Sequence, residues 1–296
     1  MTDRKKGILA RLALFGAAIV WGSSFFVVKG AVDSLPPAVL QAVRFSVGAL
    51  LLCAMFPKRL RQLTTRDWTR GLLIGACLAV ATLIQNIGIQ YTTPGKCAFL
   101  TTVYCVLVPF LFWIVRGEKP TLQRFIAALV CFGGIALVSL DGTLSMGKGD
   151  MLTLVSGLLY ALHIVLIAAL GNTMDPVCLT VVQTAWAGVL SWIYALIVDG
   201  SPAAYNWDIW PQVLYLALFA TAGGFLLQIV GQKHTPPAAA SLILSLESVF
   251  GVLFSVLFYG ERVTVRLGIG FAVIFLSILI SETNWKKRPG LCEKVN

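Results

Sequence analysis

LIQNIGIQYTTPGKCAFL, residues 83–100, and LLQIVGQKHTPPAAASLI, residues 226–243, are two versions of one passage. Each runs on through an apolar stretch to a short corner, VRGEKPT at 115–121 and FYGERVT at 258–264. Overlaid without a gap, Gln85/Gln228, Gly88/Gly231, Thr92/Thr235, Pro94/Pro237, Gly117/Gly260 and Glu118/Glu261 coincide. An earlier stretch is duplicated as well. Residues 21–44 overlay on 160–183, which sets Trp21 on Tyr160, Pro37 on Pro176 and Arg44 on Gln183. A membrane-length apolar pattern written twice is the sequence mark of a secondary transporter.

Composition agrees. The chain is 58% hydrophobic and only 12% charged, about half the charge of a soluble domain. Apolar runs of about 18 residues or more recur along its length, and the alternation of a transmembrane barrel is absent. Without water in the lipid core, backbone groups are satisfied within helices. The net charge of +10 does not point to nucleic acid, because the basic residues sit in short loops beside apolar spans. Cys53, Cys77, Cys97, Cys105, Cys131, Cys178 and Cys292 fall mostly within apolar spans and form no CxxC pair. They read as small packing residues, with neither a disulfide framework nor a metal site. The basic start followed by an apolar run resembles a signal peptide briefly, but the run is too long, and it reads as a retained first helix.

Ten spans are expected, at about 12–32, 37–56, 71–91, 96–115, 122–141, 151–170, 176–198, 209–231, 237–258 and 265–283, with prolines and glycines at the breaks. One set of loops and termini carries 17 basic residues and the alternate set 4. Both termini are therefore expected in the cytoplasm of a plasma (inner) membrane protein. Five spans per half is an odd number, so the second half enters the membrane inverted. The expected organisation is an all-α integral membrane protein of ten transmembrane helices in a 5+5 inverted repeat: a first repeat over 1–145, a second over 146–285, and a cytoplasmic tail over 286–296.

WGSSFFVVKGAVDSLPPAVLQAVRF (residues 21–45), the corners at Gly117–Glu118 and Gly260–Glu261, and LESVFGVLFSVLFYGERVT (residues 246–264) resemble the drug/metabolite transporter superfamily, in its ten-helix EamA-type branch. The resemblance covers about residues 10–283. It implies that the first four helices of each half enclose a central cavity while the fifth packs outside. Ser248 departs from the branch, which often has a proline there.

Transporter sites tend to lie at the midplane between repeats. Trp21, Ser24, His163 and Glu247 fall there by position within their spans, at about 1.5 Å per residue. Glu247 is the one acid deep inside a span, where burying a charge costs roughly 2.5–3.5 kcal/mol. It reads as a proton carrier or a partner for a substrate cation, against a structural hydrogen bond to a neighbouring helix. His163, the only histidine within a span, could bond substrate or simply be satisfied by a neighbour. Arg44 could hold a substrate carboxylate, bind carbonyls at broken helix ends, or snorkel outward; its repeat equivalent, the neutral Gln183, is expected at the substrate site with it. Lys29 is expected to snorkel.

Tyr104 occupies the repeat position of Glu247, so symmetry favours both lining the cavity. Tyr160 and Trp186 could form its apolar walls, each with a polar tip. Gln85 and Gln228 are expected to hydrogen-bond between helices rather than to bind substrate, and Gly71 and Gly75 to permit close helix approach.

HExxH, GxSxG and GxxxxGK[ST] are missing, so no enzyme activity, cofactor or metal is expected. The function expected is secondary transport of a small organic metabolite by alternating access, with amino acids or related amphipathic compounds favoured. Proton coupling through Glu247, a monomeric or homodimeric state, and export (the direction toward which the resemblance leans) complete the expectation. The rival is a non-transporting membrane scaffold or sensor, which would lack a continuous polar cavity.

Overall fold

The computed structural model describes residues 3–117, 119–140, 146–171, 173–200 and 208–282. Glu118, the segment 141–145 at the expected boundary between halves, and the tail 286–296 lie outside them. Among the described residues there are helices and no strand, apart from one isolated bridge between Leu140 and Met146.

Nine helices among the described residues are long and apolar enough to cross a membrane. They are α1 (Lys5–Val32), α2 (Pro37–Met55), α3 (Thr65–Gln90), α4 (Pro94–Val115), α5 (Leu122–Ser139), α6 (Lys148–Gly171), α7 (Pro176–Val198), α8 (Trp210–Lys233) and α9 (Pro237–Tyr259). A shorter apolar helix, α10 (Val265–Ser281), completes the set. The family of ten expected spans is present, with the last shorter than the rest.

Local chemistry marks the starts and stops. Proline sits in the first turn of α2, α4, α7 and α9, where its missing N–H leaves no bond unmade. Thr64 and Asp67 form a capping box at the start of α3, and Asp175 caps α7 through the amides of Val177 and Cys178. Gly117 and Gly260 end α4 and α9 at φ values of 78° and 73°, a left-handed conformation that glycine adopts without cost. The two glycine corners of the sequence are thus one structural device used twice.

The packing is unchanged when the halves are exchanged. α1 packs on α8 and α9, while α6, its equivalent, packs on α3 and α4. α2 meets α7, α4 meets α9, and α5 meets α10. The principal contacts therefore run between halves, so neither half buries its apolar faces alone. The α3–α7 seam shows how small residues permit this. A Cβ on Gly71 would lie 2.5 Å from Val182 Cγ2, and one on Gly75 would lie 2.6 Å from Gln183 O. Five crossings per half turn the second repeat over with respect to the first.

α4 and α9 are interrupted at equivalent positions. Helical turns break at Thr102 and again at Ser245 and Leu246. Thr102 Oγ1 donates to Phe99 O and Ser245 Oγ to Leu242 O, both at 2.7 Å. These bonds satisfy carbonyls that the interruption frees, which a polar side chain must do in lipid. Ser248, the departure from the family pattern, donates to Ser245 O at 2.7 Å. The breaks place Tyr104 and Glu247 just beyond them, toward the centre of the molecule.

Candidate functional site

A cavity of about 60 Å³ lies between the halves. α1 contributes Trp21, Ser24, Phe25 and Val28, which share one helical face at i, i+3, i+4 and i+7. α6 contributes the equivalent Tyr160, His163 and Ile164. Gln85 and Gln228, Thr101 and Leu244, and Tyr104 and Glu247 complete a lining built largely from repeat-equivalent pairs. Arg44, Ile89, Ala220 and Phe225 close it.

Seven of the nine residues expected at the site meet here: Trp21, Ser24, Arg44, Tyr104, Tyr160, His163 and Glu247. Gln183 and Trp186 do not line the cavity. Gln183 is fully buried behind it and bonds its Oε1 to His163 Nε2 at 3.0 Å, so it orients the imidazole. Trp186 faces the other way: its indole donates to Trp68 O at 3.1 Å, and its ring meets Trp68 edge-on with centroids 6.3 Å apart. Lys29 differs from expectation too. Its Nζ donates to Ile89 O and Gln90 O, both at 2.9 Å, capping the last carbonyls of α3 rather than snorkelling.

Sequence reasoning missed Phe25, Val28, Ile89, Ile164, Ala220, Phe225 and Leu244, the apolar part of the lining. The helical spacing of Phe25 and Val28 from Trp21 was the signal that could have found them. Gln85 bridges helices as expected: its Nε2 donates to Thr101 Oγ1 and its Oε1 accepts from Tyr160 Oη, each at 3.0 Å. Gln228 does not follow, and its Oε1 has no partner.

The electrostatics of the site are unusual. Arg44 is 7% exposed and Glu247 4%, yet among the described residues no ion pair joins them. Arg44 Nε, like Gln228 Oε1, is buried without a hydrogen-bond partner, while the Tyr104 hydroxyl lies beside the Glu247 carboxylate. Buried polar groups in a folded protein are normally satisfied, and a cluster left open faces something the protein alone does not supply. An arginine offers planar donors suited to a carboxylate. A buried carboxylate suits a cation or a proton.

A second cavity, of about 450 Å³, lies at the end of the bundle that carries the N-terminus, here called the proximal end. Its lining includes Phe112, Ile167, Leu179, Gln232, Lys233, His234 and Thr235, with Lys233 and His234 reaching the surface. Ile167 is one helical turn from Ile164, so this vestibule begins about one turn from the central cavity.

The described residues of the distal end are tied by polar contacts. Lys96 Nζ meets Asp150 Oδ2 at 2.6 Å, and Thr92 Oγ1 donates to Asp150 Oδ1 at 2.7 Å. Glu261 accepts from Gly95 N at 2.8 Å and from the hydroxyls of Thr93 and Ser255.

Comparison with known proteins places this architecture. The model of the EamA-like transporter family matches residues 8–140 and again 147–283. An uncharacterized transporter of Archaeoglobus fulgidus is 31% identical, over 93% of this chain and 86% of its own. The uncharacterized transporter YvbV of Bacillus subtilis is 24% identical over 96% and 95%. The uncharacterized inner membrane transporter YedA of Escherichia coli is 25% identical over 90% and 89%. A crystal structure superposes with a TM-score of 0.70 at 16% identity, covering 92% of this chain and 95% of the other, and shares the fold. With two family matches spanning its two halves, this multi-pass membrane chain belongs to the EamA-like transporter family.

Proposed function

We propose that this chain is a secondary active transporter that exports small zwitterionic metabolites, amino acids or their close relatives, across the inner membrane by alternating access. The observation that carries the proposal is the pairing of Arg44 and Glu247 in one enclosed cavity between the halves, without an ion pair between them. Two opposite charges that do not neutralise one another are complementary to a molecule with both charges of its own. Arg44 holds the carboxylate, and Glu247 takes the ammonium group or a proton. Phe25, Val28, Phe225 and Leu244 accept the apolar remainder. A cavity of about 60 Å³ favours a compact cargo over a multi-ring one.

The unequal ends support the direction. The excess of basic residues favours a cytoplasmic proximal end, and the vestibule lies at that end, on the side from which an exporter would load. Rocking of the two repeats, 1–145 against 146–285, would open the distal end and close the vestibule. Inward- and outward-facing forms differ in which face solvates Glu247, so proton binding biases the equilibrium between them.

The test is reconstitution. Proteoliposomes loaded in turn with each of the twenty amino acids are assayed for counterflow. A saturable signal for at least one compound, lost in Arg44→Gln, is the expected result. Absence of counterflow throughout the panel would favour the scaffold or sensor alternative.

A further inference from the structure

Gln85 and Gln228 occupy one position of the repeat, and equivalent helices surround them. At Gln85 both ends of the amide are used, by Tyr160 Oη and Thr101 Oγ1. The residues standing in those places around Gln228 are Trp21 and Leu244. Trp21 gives its indole N–H to Ala220 O at 2.8 Å instead, and Leu244 has no polar atom to offer. Gln228 is 2% exposed, with Oε1 unpartnered. A buried acceptor left unpaired is unfavourable, and an apolar residue of similar shape would avoid that penalty. All six of these residues line the central cavity together with Arg44 and Glu247.

We infer that Gln228 is a substrate-binding amide whose oxygen accepts a hydrogen bond from an N–H or O–H of a small carboxylate-bearing cargo, an inference that rests on the zwitterion reading above. The duplicated walls then have different tasks. Tyr160, Gln85 and Thr101 are bonded to one another and form a finished wall. Trp21, Gln228 and Leu244 form an unfinished one, completed by cargo. For an amino acid, Glu247 and Gln228 share the hydrogens of the ammonium group, while Arg44 takes the carboxylate. Sites built to bond a polar hydrogen reject analogues without it, because the site's own group is then stranded. Gln228 therefore acts as a specificity determinant that requires a donor on the cargo, independent of the cargo's positive charge.

A three-member series separates this role from that of Glu247. An amino acid carries both donor and charge, its α-hydroxy acid carries a donor without charge, and its deamino acid carries neither. The twenty amino acids and their two sets of analogues are tested as ligands of the purified protein by equilibrium binding, with thermal unfolding measured alongside. Wild type is expected to bind the α-hydroxy acid about tenfold more tightly than the deamino acid. Gln228→Leu should bring that ratio to about one without lowering the unfolding midpoint. Glu247→Gln should keep the ratio and lose the preference for the amino acid over the α-hydroxy acid. Leu244→Thr copies Thr101 and supplies an internal partner, so it should lower the ratio in a folded protein.

An unchanged ratio in Gln228→Leu and Leu244→Thr overturns the assignment while leaving the zwitterion reading intact, provided binding still depends on Arg44. A Gln228→Leu protein that unfolds early or fails to fold overturns it too, by showing a structural bond. Failure of wild type to bind any member of the panel overturns both.

Discussion

The two ends of this molecule descend from the same repeat positions and have become opposites. At the distal end Lys29 ties α1 to the last carbonyls of α3; its equivalent at the proximal end is Ala168. Glu261 at the distal corner is held by Thr93, Gly95 and Ser255. The corresponding proximal positions are Pro236, Ala238 and Phe112, none with a side-chain donor. The proximal end has a vestibule where the distal end has a network, and Gln232 and Thr235 there retain polar atoms without partners. Duplication therefore supplied the frame, and divergence supplied unequal closures: the distal one is knotted by Lys29, Asp150 and Glu261, while the proximal one keeps its polar ties, Arg59–Asp175 at 2.5 Å and Arg70–Thr173 at 2.9 Å, beside an open vestibule. A frame with two identical closures would have no built-in preference for a resting state, since only differential contacts shift such an equilibrium.

The largest effect should come from Glu261→Ala. It strands one amide and two hydroxyls around a buried site, a loss of about 3 kcal/mol or more. Thermal unfolding should fall accordingly, and a single reporter cysteine at residue 89, in a cysteine-free background, should react faster from the distal side. Unchanged reactivity would mean that Glu261 is no part of the closure. Lys29→Ala gives the distal end the proximal residue. Losing two hydrogen bonds from an ammonium group is worth about 1–3 kcal/mol, and labelling at the same reporter should rise about tenfold. The converse change, Ala168→Lys, sharpens the comparison. A lysine beside the carbonyls of Gln232 and Lys233 should occlude the vestibule and slow labelling of a cysteine at residue 179 by several-fold. Equal labelling with and without the lysine would show that Lys29 works by bulk at its own site and not by the geometry the ends share.

The frame was legible in one dimension because its determinants are one-dimensional. Span length, proline and glycine punctuation, and the loop charges are written along the chain. The cavity face of α1 is likewise a matter of spacing from Trp21. Partnership is another matter. Gln85 and Gln228 look equivalent in sequence, and their difference depends on Tyr160, 75 positions from Gln85, and on Trp21, whose indole turns to Ala220, 199 positions away. Trp186 had the composition of a cavity wall, but α7 turns it toward Trp68. Lys29 had the position of a snorkelling residue, yet the end of α3 lies close enough to accept two hydrogen bonds from its ammonium group. Each of these depends on which helix of the other half, or of the same half, comes alongside, and residue type alone does not carry that.

The central claim is that the single deep acid couples proton movement to cargo movement between these unequal ends. Glu247→Gln keeps size and hydrogen-bonding capacity and removes titration, so the direct measurement is cargo accumulation against its gradient in proteoliposomes under an imposed pH gradient. Wild type should accumulate the compound identified by counterflow. Glu247→Gln should fold and exchange it downhill, but accumulate none. Undiminished uphill accumulation by Glu247→Gln would contradict the account.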